Sequence, residues 1–185
     1  MVAVFTMLAM NQHCPSVSRS TSQCGFTLLE LMVVLAIAAI LAALALPSFD
    51  SMVKRWRTKT AAENLVSGIY LARSEAARFG GVQMARIDGP ECQTAGLWQC
   101  GWRVQTLGQD GVTLQTVEAI KSMVIMRRPE TNTTSFNQFG QVNGLGAYSF
   151  VVVHQANQGD SSKAITVCVS SAGRVRTVRG TTQCT

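Results

Sequence analysis

An apolar run with one carboxylate at its head constrains this chain more than any other feature. Gly25-Phe26-Thr27-Leu28-Leu29-Glu30 leads directly into Leu31–Leu46, and the 21 residues from Phe26 to Leu46 carry a single charge, Glu30. As a helix this segment is about 32 Å long, enough for one membrane crossing. The apolar region of a secretory signal is shorter and carries no acid at its head. A carboxylate inside hydrocarbon costs roughly 2.5–3.5 kcal/mol on insertion scales, so Glu30 needs a partner. A buried amine fits that need, because each group relieves the desolvation of the other.

A small residue, a phenylalanine and an apolar helix with an early glutamate resemble the processing site of type IV prepilins and type II secretion pseudopilins. The resemblance implies that a prepilin peptidase cuts after Gly25 and that Phe26 becomes an N-methylated first residue. It also implies that Glu30 pairs with the terminal amine of a neighbouring subunit during filament assembly. Residues 1–25 then read as a removed leader, 26–46 as a transmembrane and assembly helix, and 47–80 as its amphipathic continuation. Residues 81–185 read as a β-rich globular domain with a basic C-terminal tail. The leader opens on an apolar stretch, Met1 to Met10, and has Arg19 as its only charge; family leaders are usually shorter and more basic. Met7 and Met10 are alternative starts.

Two signals conflict on orientation. Lys54, Arg55, Arg57 and Lys59 follow the span, and the positive-inside rule would leave the long C-terminal part in the cytoplasm. Cysteine usage points the other way. Four cysteines remain after the leader, Cys92, Cys100, Cys168 and Cys184, an even number at loop-like positions that suits an oxidising compartment. Long domains translocate with little regard to local charge, so the expectation is a single pass through the inner membrane with a periplasmic C-terminal domain, extracellular once assembled into a pilus. Local pairing of the cysteines gives Cys92–Cys100 and Cys168–Cys184, one of three possible connectivities. Closing the second loop would stabilise the fold by about 3 kcal/mol and pin the tail to the last strands.

Beyond Pro47, where family members often carry a proline, Ala62, Leu65, Val66, Ile69, Ala72, Ala76 and Phe79 recur at spacings of three and four, with most charges on other faces. That is an amphipathic helix with one side against a folded domain. Gly80-Gly81 caps it. Short β-type runs follow: Val82–Ile87, Trp102–Leu107, Val112–Val117, Met123–Arg127, Thr133–Phe136, Ala147–His154, Ala164–Ser170 and Arg174–Val178. Gly108-Gln109-Asp110-Gly111 reads as a hairpin loop between the second and third. Several antiparallel strands packed on the C-terminal half of a long helix make an α+β fold, the pilin architecture. Leu71–Arg78, Phe136 with Gly140, and Cys168–Arg176 resemble the FimT/GspH branch of minor pilins.

Catalytic chemistry finds no footing. After the leader the chain has one histidine, His154, at the end of an apolar run. The cysteines lack a Cys-x-x-Cys pair, so zinc spacing is missing, and no phosphate loop or nucleophile–base pair occurs. No metal, cofactor or enzymatic activity is expected. Asn132-Thr133-Thr134 matches a glycosylation sequon by chance. Trp98 and Trp102 flank Cys100 and are expected to cover the core, with use as base-stacking platforms the alternative.

The basic C-terminus carries the functional expectation. Between Ser161 and Thr185 there are Lys163, Arg174, Arg176 and Arg179 and no acid, and loss of the leader leaves 15 basic and 10 acidic residues, a side-chain charge of +5. Gly173 permits a turn of positive φ, after which Arg174 and Arg176 share one face of a strand while Arg179 has the opposite parity. Guanidinium groups on an exposed rim suit phosphate oxygens. Gly173-Arg174-Val175-Arg176 resembles the Gly-Arg-x-Arg element of FimT-type minor pilins. The resemblance implies non-specific capture of extracellular double-stranded DNA for natural transformation, with other pilins as partners. Two readings compete with it: a GspH-like pseudopilin engaged in protein export, and an edge strand that is charged only to prevent aggregation.

Overall fold

The computed structural model describes residues 27–108, 111–144 and 146–184, the side chains of 44–48 excepted. Gly25, Phe26 and the leader lie outside the described residues, as do Gln109 and Asp110 of the expected hairpin loop. Helix α1 spans Leu28–Phe79 and does not end at Pro47. The chain divides into two compact units, one through Leu44 and one from Ala45 to Thr185.

In the first unit, Thr27 starts the helix. Its hydroxyl accepts the Glu30 backbone N–H at 3.1 Å, satisfying one of the orphan donors of a helix N-terminus. Thr27 and Glu30 have the Thr-x-x-Glu spacing of a capping box, of which the bond to the Thr27 hydroxyl is the half formed here. Leu28, Leu29, Leu31, Met32, Leu35, Ile37, Ile40 and Leu41 are all exposed. A helix that is apolar on every side calls for an apolar surrounding. Among the described residues, however, no helix is long and apolar enough to cross a membrane.

The second unit follows the anticipated α+β plan, with two sheets rather than one. Strands β1 (Gly81–Arg86), β2 (Gly101–Thr106), β3 (Thr113–Glu118), β5 (Thr133–Asn137) and β6 (Val142–Asn143) form an antiparallel sheet in the order β3-β2-β1-β5-β6. Strands β4 (Met123–Arg128), β7 (Tyr148–His154), β8 (Ile165–Val169) and β9 (Val175–Arg179) form a second, β4-β7-β8-β9. The expected strands fall within a residue or two of these bounds. The two-residue β6 is too short to leave a period-two signal and was not anticipated.

One core joins the helix to both sheets. Ala61, Ala62, Leu65, Ile69, Ala72 and Ala76 pack with Val82, Met84, Trp102, Val104 and Phe136 of the first sheet and Ile125, Phe150, Val152 and Val167 of the second. The alanines let strands come close; Leu65 and Ile69 fill the space between. Phe79 departs from the expected stripe. It is exposed, with the Arg78 guanidinium 5.4 Å from its ring centre, because Gly80 at φ +75° turns the chain out of the helix right after it. Trp98 and Trp102 are fully buried, whereas Trp56 on α1 is exposed. Trp98 donates to the Thr131 carbonyl at 3.0 Å and meets Phe150 edge-on. Neither Trp98 nor Trp102 is available for base stacking.

Near this core, Tyr148 contacts Phe150 edge-on and carries the Arg127 guanidinium 4.6 Å from its ring centre. Burial pushes the Tyr148 phenol up to about 12, against smaller downward pulls from Thr134, Arg127 and Arg73. The folded state thus holds this proton more tightly than the unfolded chain, whose phenol ionises near about pH 10. The stability tied to the neutral phenol is complete below that pH and is lost as pH rises toward about 12. Denaturant unfolding across that window should show the wild type losing stability faster than Tyr148→Phe. Parallel losses would show that the phenol is not the titrating group.

Candidate nucleic-acid interface

Strand β9 is the edge of the second sheet. Its register against β8 is regular: Ile165 opposes Arg179, Thr166 Val178, Val167 Thr177, Cys168 Arg176 and Val169 Val175. Without a bulge, side-chain parity is strict, so Arg176 lies on the face of Cys168 and Arg179 on the face of Ile165. Arg174 and Arg176 are exposed on the face turned away from the helix core.

The turn that presents them is built from several segments. Ser170 accepts the Gly173 N–H at 2.8 Å, the Ser170 N–H donates to the Arg174 carbonyl at 3.0 Å, and the Arg174 N–H donates to the Ser170 hydroxyl at 3.1 Å. Gly173 has φ +77°, a turn that the sequence permitted. The structure adds a second reason for glycine there. A Cβ would lie 2.3 Å from the Gly140 carbonyl oxygen and 2.6 Å from Arg73 Nε. Arg73, from α1, donates Nε–H to that same carbonyl at 3.0 Å. Helix, Gly140 loop and β8–β9 turn therefore meet at one point, and the Val142 N–H adds a bond to the Ser171 carbonyl at 3.0 Å.

A groove of about 470 Å³ runs across the outer face beside this turn, lined among others by Arg174, Arg176, Ser149, Ser170 and Arg128. The Cys168–Cys184 disulfide lies in its lining and ties the tail to β8; the second bond is Cys92–Cys100. Arg128 comes from β4. It opposes Ser149, which opposes Cys168, which opposes Arg176. The sequence reading missed Arg128 because it lies 46 positions before Arg174, and only the sheet order puts them on one face. Among the described residues, neither Arg128 nor Arg174 belongs to an ion pair.

Arg179 and Lys163 do not join this set. They line another groove, of about 610 Å³, with Arg55, Trp56 and Lys59 on the opposite side of β9. The expected five-residue site thus divides: Gly173, Arg174 and Arg176 stay together, while strand parity turns Arg179, and the turn before β8 brings Lys163, to the groove beside the helix. Lys163 ends a short 3-10 turn, Ser161–Lys163, started by Asp160, whose carboxylate accepts from the Ser162 N–H and hydroxyl. The Ser162 hydroxyl bond holds the Asp160 carboxyl below its ordinary value. His154 is buried, and its Nδ1 accepts the Ala156 N–H at 3.1 Å. Among the described residues no cluster of His, Cys, Asp or Glu could hold a metal ion.

Residues 61–173 match the family of the type II transport protein GspH. The chain belongs to that family. Residues 20–46 match the prokaryotic N-terminal methylation motif, and the two together place this GspH-family chain among the minor pilins and pseudopilins of the type IV pilin superfamily. No curated protein matches it. Among solved structures, the type IV minor pilin FimU of Pseudomonas aeruginosa is 17% identical and covers 69% of this chain and 92% of its own, with a TM-score of 0.58. A second crystal form of FimU gives 17% identity, 66% and 93% coverage and a TM-score of 0.55. The minor pseudopilin EpsH of the type 2 secretion system of Vibrio cholerae is 14% identical, with 66% and 97% coverage and a TM-score of 0.48. At these identities FimU shares the fold, and the fold alone carries over.

Gly173→Ala tests the three-way junction. The added methyl has no room and φ +77° disfavours it, so the loss of stability should be about 1–3 kcal/mol by denaturant unfolding. A variant as stable as the wild type would show that the junction gives way without cost.

Proposed function

We propose that this GspH-family chain is a non-catalytic minor type IV pilin of the FimT kind, which binds extracellular double-stranded DNA without sequence preference. The observation that carries the reading is the pair Arg174 and Arg176, exposed on one face of an edge strand behind a glycine turn that is bonded to its neighbours. Guanidinium groups there can grip phosphate oxygens bidentately. No recognition helix is offered to a groove, so base readout should be poor. Affinity per subunit should be low, and repetition along a fibre would raise it through effective concentration.

If Arg174 and Arg176 each neutralise one phosphate, the logarithmic salt slope should be about −1.8 from these two alone. Titration of duplex DNA with the domain starting at Lys54, at increasing salt, checks this. Arg174→Ala/Arg176→Ala should remove that part of the salt slope while both disulfides and the thermal transition persist. A double variant that binds like wild type would remove the rim from the mechanism. The second reading, a pseudopilin serving protein export, is favoured by the type II transport description of the matched family; no binding by the wild type even at low salt would put it first.

The N-terminal segment supports the assembly half of the proposal. Its exposed apolar side chains would be covered by the inner membrane before assembly and by other pilins afterwards, following cleavage after Gly25 by prepilin peptidase and methylation of Phe26. The C-terminal domain would then be periplasmic. The Thr27 cap engages the Glu30 backbone N–H and leaves its carboxylate to pair with a neighbour's terminal amine. Glu30→Ala should be processed normally but enter filaments poorly, and so should Glu30→Gln, which keeps the capping spacing and loses only the charge. Normal incorporation of Glu30→Gln, scored in sheared pilus fractions, would eliminate the pairing.

A further inference from the structure

We propose that Arg128 is a third phosphate ligand of this rim, so that the groove grips a DNA duplex from both of its walls. This rests on the DNA-binding reading and names a residue that the Gly-Arg-x-Arg element does not contain. Arg128 is the last residue of β4 and is exposed. Arg128, Ser149, Cys168 and Arg176 are successive cross-strand partners over β4, β7, β8 and β9. Because directly opposed residues share a face, the two arginines stand on the same side of the sheet. Three strand spacings separate them by about 14 Å.

Among the described residues, the floor between these walls carries no charged side chain. Ser149, Ser170, Val169 and the Cys168–Cys184 bond line it. A cation on each wall attracts a polyanion. Walls about 14 Å apart, each with a long guanidinium side chain, can reach phosphates on the two lips of a minor groove about 6 Å wide. Among the described lining residues the one aromatic is Tyr148, which is 4% exposed, so they offer single strands no stacking platform. Duplex backbone is the occupant that this chemistry fits.

The salt slope counts the ligands. With three arginines engaged it should be about −2.7, and raising salt fourfold should weaken binding roughly forty-fold; with two, about −1.8 and roughly twelve-fold. The experiment uses the full mature chain in an uncharged detergent with a short duplex of mixed sequence and its single strand. Arg128→Ala should lower the slope to about −1.8, and Arg128→Lys should restore it, since a single positive charge still displaces a counterion. Arg103→Ala, an exposed arginine on the other sheet, should leave the slope at the wild-type value. The single strand should bind more weakly than the duplex. A wild-type slope that Arg128→Ala does not change would overturn the role of Arg128 while leaving the Arg174–Arg176 site intact. Single-strand binding as tight as duplex binding would overturn the duplex occupant. No binding by the wild type would overturn the DNA reading itself and this inference with it.

Discussion

The stripe of small and aliphatic residues on the second half of α1 is the contact on which everything else in the folded unit depends. Two sheets of five and four strands each turn an apolar face to the helix, and Leu65 and Ile69, fully buried, fill the space where those faces meet it. Ala61, Ala62, Ala72 and Ala76 keep the backbone close to the strands. Larger residues at those positions would hold the sheets off and open voids, which a close-packed interior does not tolerate. Arg73 stands next to Ala72 on this helix. Packing of the stripe therefore delivers Arg73 to the Gly140 carbonyl and the Gly173 turn.

That geometry connects stability to the candidate interface. The arginine-bearing turn is held by its own backbone bonds, by the helix through Arg73 and by the first sheet through the Val142–Ser171 bond. A phosphate site on so constrained a turn loses little conformational freedom when it binds. The disulfide to Cys184 has a related effect, since it holds the tail against β8 and keeps the groove floor in place. An edge strand with arginines on both faces also resists pairing with another sheet, so protection from aggregation and attraction for polyanions arise from the same residues.

Much of this was legible in the chain. The apolar run with Glu30, the three-and-four spacing of the helix stripe, the positive-φ glycine before Arg174 and the parity of Arg174, Arg176 and Arg179 are local patterns, and local periodicity reports local structure. The Thr27 cap of the helix was legible too, in the Thr-x-x-Glu spacing of Thr27 and Glu30. Phe79 misled because its spacing fits the stripe while the following glycine takes it off the core.

What the sequence determined by itself was the kind and order of elements, the capping of the helix, and which arginines of β9 share a face. These follow from the 3.6- and 2-residue periods of the backbone and from the φ freedom of glycine. The tertiary structure alone decided that β4 pairs with β7 rather than with β3, and so that the strands divide into two sheets. That partition brings Arg128 across from Arg176, turns Arg179 and Lys163 toward the helix, and buries Trp98 and Trp102. Strand pairing between distant segments depends on which faces can be buried together against the helix, an energy shared by the whole core that no short window of sequence contains.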